Sequence, residues 1–149
     1  MMQDELKMLE LDVEGTKLKL EIKKYRQSTK ENWDCEWCQI YILVQNRYIN
    51  YEMNEESLLC CEVEEIHRKL VGFLSGETTE KCELSFIEPD FEMVIDTYED
   101  DAILLDWKFN LWDDTGALSA NSFTIVLDTE DITELANYLE SIINKGGNH

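Results

Sequence analysis

The chain has 149 residues, 44% of them apolar and 10% aromatic, enough to close one hydrophobic core without metal or disulfide staples. Thirty-three acids face thirteen bases, a formal charge of −20, which disfavours direct binding to nucleic acid or anionic membranes and attracts basic protein partners. A single proline, the absence of low-complexity tracts and the absence of an internal repeat argue against disorder, solenoids and propellers.

The first residues, MMQDELKMLELDVEG, are acidic and carry no apolar run of signal-peptide length, and no apolar run elsewhere could span a bilayer. Five cysteines are an odd number at uneven spacings. The expectation is a cytoplasmic protein with reduced thiols, folded as one α+β domain over residues 1–149 with a disordered tail from about 146.

Residues 8–13 and 17–25 read as two strands around Glu14-Gly15-Thr16. In the second, Leu18, Leu20 and Ile22 alternate with Lys19, Glu21 and Lys23, the period of a strand with one buried face. After a polar link at 27–32, residues 35–45 form a third strand and residues 48–59 a fourth, with a polar interruption at Asn54-Glu55-Glu56. The first helix covers about 61–75: Val63, Ile66, Leu70, Phe73 and Leu74 share a side, and Gly76 stops it. Glu62, Glu64 and Glu65 favour the helix dipole, and Arg68 and Lys69 can pair with the latter two.

Residues 81–87 and 91–97 read as a hairpin around Glu88-Pro89-Asp90. After the acidic connector 98–101 comes a long strand, 102–112. Ile103, Leu105, Trp107, Phe109 and Leu111 face the core, with Leu104, Asp106, Lys108, Asn110 and Trp112 opposite. Residues 113–121 read as turn and loop and 122–127 as the closing strand. Asp128 or Thr129 caps a final helix over 130–144, with Ile132, Leu135, Ala136, Leu139, Ile142 and Ile143 as its apolar stripe. The order is ββββ-α-ββββ-α. Short links between strands favour antiparallel pairing, so the expected architecture is one curved antiparallel sheet of seven or eight strands carrying two helices.

No motif carries catalysis, a cofactor or a metal. Cys35 and Cys38 form a C-x-x-C, but they sit in a strand and not ahead of a helix, and no second ligand pair is spaced for zinc, so they read as packing residues. Asp113-Asp114-Thr115-Gly116 lacks the alternation and closing glutamate of a calcium loop. His67 borders a helix stripe and reads as a boundary residue. Glu88 and Asp90 could be paired catalytic carboxylates, but nothing nearby would separate their acidities.

Four segments occur here in one order: Trp33-Asp34-Cys35-Glu36-Trp37-Cys38, Glu64-Glu65-Ile66, Ser85-Phe86-Ile87-Glu88-Pro89-Asp90-Phe91 and Gly116-Ala117-Leu118-Ser119-Ala120-Asn121-Ser122-Phe123. As a set, over about residues 33–139, they resemble the WapI-like family of small bacterial proteins, found largely in Firmicutes. The resemblance implies a non-enzymatic immunity protein, the antidote to a cell-wall-associated, contact-dependent toxin whose nuclease domain attacks tRNA. It supplies no toxin-contacting residues.

Those come from this chain's own chemistry: Trp112, Asp113 and Asp114, then Glu88 and Asp90, then Glu62, Glu64 and Glu65, as anchor and acids for a basic toxin domain. The expected protein is a monomer or weak homo-oligomer. Two other readings are an adaptor subunit, which requires a large exposed apolar patch, and a carboxylate hydrolase, which requires a pocket with two carboxylates in separated environments.

Overall fold

A computed structural model of the protein describes residues 8–26, 36–99 and 102–147, with backbone alone for 146 and 147. The elements are β1 (Leu9–Val13), β2 (Thr16–Lys23), β3 (Trp37–Gln45), β4 (Asn50–Leu59), α1 (Cys60–Ser75), β5 (Cys82–Leu84), β6 (Phe91–Thr97), β7 (Ile103–Trp112), β8 (Leu118–Leu127) and α2 (Thr129–Gly147). The α+β class and the order ββββ-α-ββββ-α are those expected. The eight strands nevertheless form two four-stranded antiparallel sheets, β1-β2-β3-β4 and β5-β6-β7-β8, not one. α1 separates β4 from β5 and the two never pair. The strand pattern is the same for either arrangement, because each strand still needs one buried face.

The first sheet begins with a two-residue turn. Glu14 and Gly15 both have positive φ (50° and 88°), and Val13 pairs with Thr16, the hairpin geometry that matches strand twist. The period-two pattern then buries Leu18, Leu20 and Ile22 on β2 and Cys38, Ile40, Ile42 and Val44 on β3. Each such aliphatic side chain contributes about 1.5–3 kcal/mol on burial. In the second sheet Phe91, Met93 and Ile95 of β6 face Phe109, Trp107 and Leu105 of β7 in register.

The helices cover these faces and pack on each other, with α2 touching β1, β7 and β8 and α1 touching β4. Val63, Ile66, Leu70 and Phe73 are the buried side of α1, which ends at Gly76 in the left-handed conformation. Asp128 caps α2: its Oδ1 accepts from the Asp131 N–H at 2.9 Å, and Asp131 Oδ2 accepts from the Asp128 N–H at 3.3 Å. Tyr138 of α2 is fully buried, and its hydroxyl accepts the Ile22 N–H at 2.9 Å, tying the last helix to β2. Tyr51 of β4 joins the sheets: its ring lies 5.6 Å from Phe109 and 5.3 Å from Phe123.

Several boundaries differ from the sequence reading. β4 starts at Asn50 and stays extended through Asn54, Glu55 and Glu56, since an edge strand tolerates acids wherever solvent reaches, but its pairing with β3 shifts register just after Glu55, where Glu56 and Ser57 oppose the single residue Gln39. β5 ends at Leu84, and the Ile87 N–H goes instead to Glu62. β8 starts at Leu118, four residues before the expected Ser122, because its first half pairs with β7 while both its faces stay largely exposed. α2 reaches Gly147, so residues 146 and 147 are helical and not tail; 148 and 149 lie outside the described residues. The polar link 27–32, Cys35, and Asp100 and Asp101 also lie outside them. No described helix is long and apolar enough to cross a membrane.

Candidate functional site, an acidic groove between the two sheets

A groove of about 1070 Å³ opens between β4 and the near end of the second sheet. Tyr51, Glu52, Met53, Asn54, Glu55 and Glu56 form one wall, and Glu88, Asp90, Leu111, Trp112 and Gly116 form the other, with Gln39 and Lys24 at the side. Five carboxylates thus face a single base among the described lining residues. Three of the five acids, Glu52, Glu55 and Glu56, are on β4, where the sequence pattern suggests only a polar interruption.

The far wall is built around Asp90, which is only 7% exposed. Its Oδ1 accepts the Trp112 indole N–H at 2.7 Å and its Oδ2 accepts the Ser57 hydroxyl at 2.9 Å. Ser57 is on β4 and Trp112 on β7, so one carboxylate bridges the two sheets beneath the groove. Trp112 itself remains 45% exposed. Asn110 holds the same turn: its N–H donates to the Asp90 carbonyl at 2.9 Å and its side-chain amide to the Pro89 carbonyl at 2.9 Å and to Glu92 Oε2 at 3.1 Å. A register shift between Asn110 and Trp112 lets Leu111 and Trp112 both reach the groove. Burial, with the Asp90 charge adding to it, pushes the Tyr51 hydroxyl up to about 12.

Of the sequence candidates, the fold brings Glu88, Asp90 and Trp112 together. Asp113 is exposed, but its Oδ1 accepts from Thr115 N, Thr115 Oγ1 and Ala117 N at 2.8, 2.5 and 3.0 Å. Those bonds, that from the Thr115 hydroxyl first, hold its carboxyl below the usual range and fix the β7–β8 turn. Asp114 is exposed in the same turn. Glu62 is not a free surface acid: its Oε1 accepts the Leu59 N–H at 2.9 Å and its Oε2 the Ile87 N–H at 3.0 Å. Glu64 accepts from the Tyr25 hydroxyl, and Glu65 pairs with Arg68. None of these three lines the groove.

Sequence reasoning missed Ser57, Asn110, Tyr51 and the three acids of β4. The available signal was a lone serine beside the apolar end of β4 and an asparagine in the middle of a long strand, both polar groups that burial would oblige to find partners.

The cysteines gather elsewhere. Cys38 Sγ lies 3.2 Å from Cys60 Sγ, both buried, and burial raises the Cys38 thiol well above its ordinary range. Cys61 is disulfide-bonded, which corrects the expectation of reduced thiols throughout; Cys38, Cys60 and Cys82 are free. No group of three or more potential metal ligands occurs among the described residues. His67 Nε2 lies 4.0 Å from Glu140 Oε1, between the two helices.

A family model described as "Immunity protein WapI-like family" matches residues 8–146. No curated protein matches. Among solved structures, one titled "Structure of the plant transcriptional regulator PBF-2" aligns over 91% of this chain and 87% of that one, at 10% identity and a TM-score of 0.45.

Proposed function

Because the chain belongs to the immunity protein WapI-like family, we propose that it neutralises a basic toxin domain by seating it on the acidic groove between β4 and the second sheet. The observation that carries this reading is the groove's composition: five carboxylates on two facing walls, a single ammonium, and a half-exposed tryptophan fixed at the rim. A nuclease holds RNA phosphates with Lys and Arg, and those side chains are what such a wall attracts.

In this reading Glu52, Glu55, Glu56 and Glu88 meet the toxin's bases and Trp112 is the apolar anchor. Asp90 positions Trp112 and makes no contact of its own. Asp114 extends the negative rim, and Asp113 shapes the turn that carries it. The net charge of −20 steers encounter and keeps copies of the chain apart, so the antidote acts as a monomer. Its place of action is the cytoplasm, where the toxin's RNA substrate is.

Co-expression tests the proposal. Cells making the cognate toxin domain are rescued by the wild type and by Glu65→Lys. They are not rescued by Glu55→Lys/Glu56→Lys/Glu88→Lys. Equal rescue by all three would remove the groove from the account.

A further inference from the structure

Side chains along a strand alternate between its two faces, so a cavity lying over one face of β4 would touch every second residue. The groove touches every residue of the regular ladder from Tyr51 to Glu55, and Glu56 at the register shift beyond it. It therefore runs along the edge of β4. That edge is unpaired: β4 ends its sheet, with β3 on one side and no described strand on the other. In an antiparallel sheet every second residue of such a strand turns its N–H and C=O outward, here into a slot whose far wall is Glu88, Asp90, Leu111, Trp112 and Gly116.

Charge decides what fits. Antiparallel pairing with the β4 of a second copy about Asn54 would set Glu52 of each chain opposite Glu56 of the other, about 5 Å apart, which is unfavourable. A segment bearing Lys and Arg meets the opposite situation. Glu52, in register with Leu43, lies to one side of β4, and Glu55, in register with buried Ile40, lies to the other, with Glu88 across the slot. The acids thus flank an incoming strand on both faces.

We infer that the toxin domain engages this protein by adding an extended, lysine- or arginine-rich segment as a fifth strand on the free edge of β4. This rests on the acidic-groove reading above and deepens it from a charged surface to a recognition mode. Six residues of β4 span about 20 Å, so the inserted segment is about six residues long. Main-chain hydrogen bonds hold it, and the acids on both sides select a run of bases over a strictly alternating pattern.

The test is hydrogen exchange of the β4 amides, read by NMR on the intact protein, with three probes: blocked octalysine, octalysine N-methylated at every amide, and spermine. Octalysine is expected to slow exchange about tenfold or more at alternate residues between Tyr51 and Glu56, and the other two probes to leave it unchanged. The Glu55→Lys/Glu56→Lys variant is expected to weaken octalysine binding at least about tenfold. Octalysine binding without protection of β4, equal protection by spermine, or no binding of octalysine would each overturn the added strand. Rescue by co-expression would still stand or fall separately, because it reads the groove's charge and not the backbone pairing.

Discussion

Trp112 donates its indole N–H to Asp90 Oδ1 at 2.7 Å, so the exposed aromatic at the groove's rim is held by a carboxylate buried beneath it. The second oxygen of Asp90 reaches Ser57 on the other sheet. Hydrogen bonds to a buried charged group contribute about 1.5–3 kcal/mol each. Asp90→Ala should therefore lower stability by about 3 kcal/mol in urea unfolding and shift Trp112 fluorescence to the red. Ser57→Ala, which leaves Trp112 its partner, should cost about 1–2 kcal/mol with little spectral change.

Glu62 and Glu65 are neighbours on α1 with different duties. Glu62 satisfies two backbone N–H groups, one at the start of its own helix and one at Ile87, whereas Glu65 forms a surface pair with Arg68. Glu62→Ala should cost about 1–2 kcal/mol and speed hydrogen exchange of the Ile87 amide. Glu65→Ala should change stability by about 0.5 kcal/mol or less. Equal losses in the two variants would contradict this division.

The helices and most strands were legible because their burial patterns are periodic: the stripe from Val63 to Phe73 and the alternation from Leu18 to Ile22 need no tertiary information. The first half of β8 was not. Leu118 to Ser122 is held by pairing to β7 rather than by burial, so its composition resembles a loop. The division into two sheets was likewise hidden, because it depends on which edges stay unpaired. The site was half legible. Trp112, Glu88 and Asp90 stood out by composition, but Glu55 and Glu56 looked like an interruption until β4 proved to be an edge strand. Glu62 read as a helix-dipole acid because its second partner, Ile87, is 25 residues away.

Tyr51 gives the junction of the sheets an alkaline signature. Its hydroxyl is raised from 10.0 to about 12 in the folded protein, so the folded state holds that proton more tightly than the unfolded chain. Stability should consequently fall as pH rises from about 10 to about 12. Tyr51→Phe should remove part of that fall and leave the remainder, since burial also raises Tyr25 and Tyr138. Denaturant midpoints across this range measure it. Tyr51→Ala should cost about 3–5 kcal/mol at neutral pH by opening a cavity beside the stacked rings of Phe109 and Phe123.

Asp113 has the opposite sign. Its folded pKa lies below 3.8, so its contribution is present above the unfolded value and is lost as pH falls through the folded one. Asp113→Asn should flatten the acid limb of the stability profile. Asp131, raised chiefly by burial, works in the other direction and persists in that variant.

The most direct measurement is the affinity of the toxin domain for the wild type and for Glu55→Lys/Glu56→Lys/Glu88→Lys, taken by titration calorimetry across a series of salt concentrations. An acidic groove that captures a basic partner gives wild-type binding that weakens steeply with salt. The variant should bind at least about a hundredfold more weakly at low salt and respond little to added salt. Variant affinity equal to wild type, with the same salt slope, would contradict the groove as the site of capture.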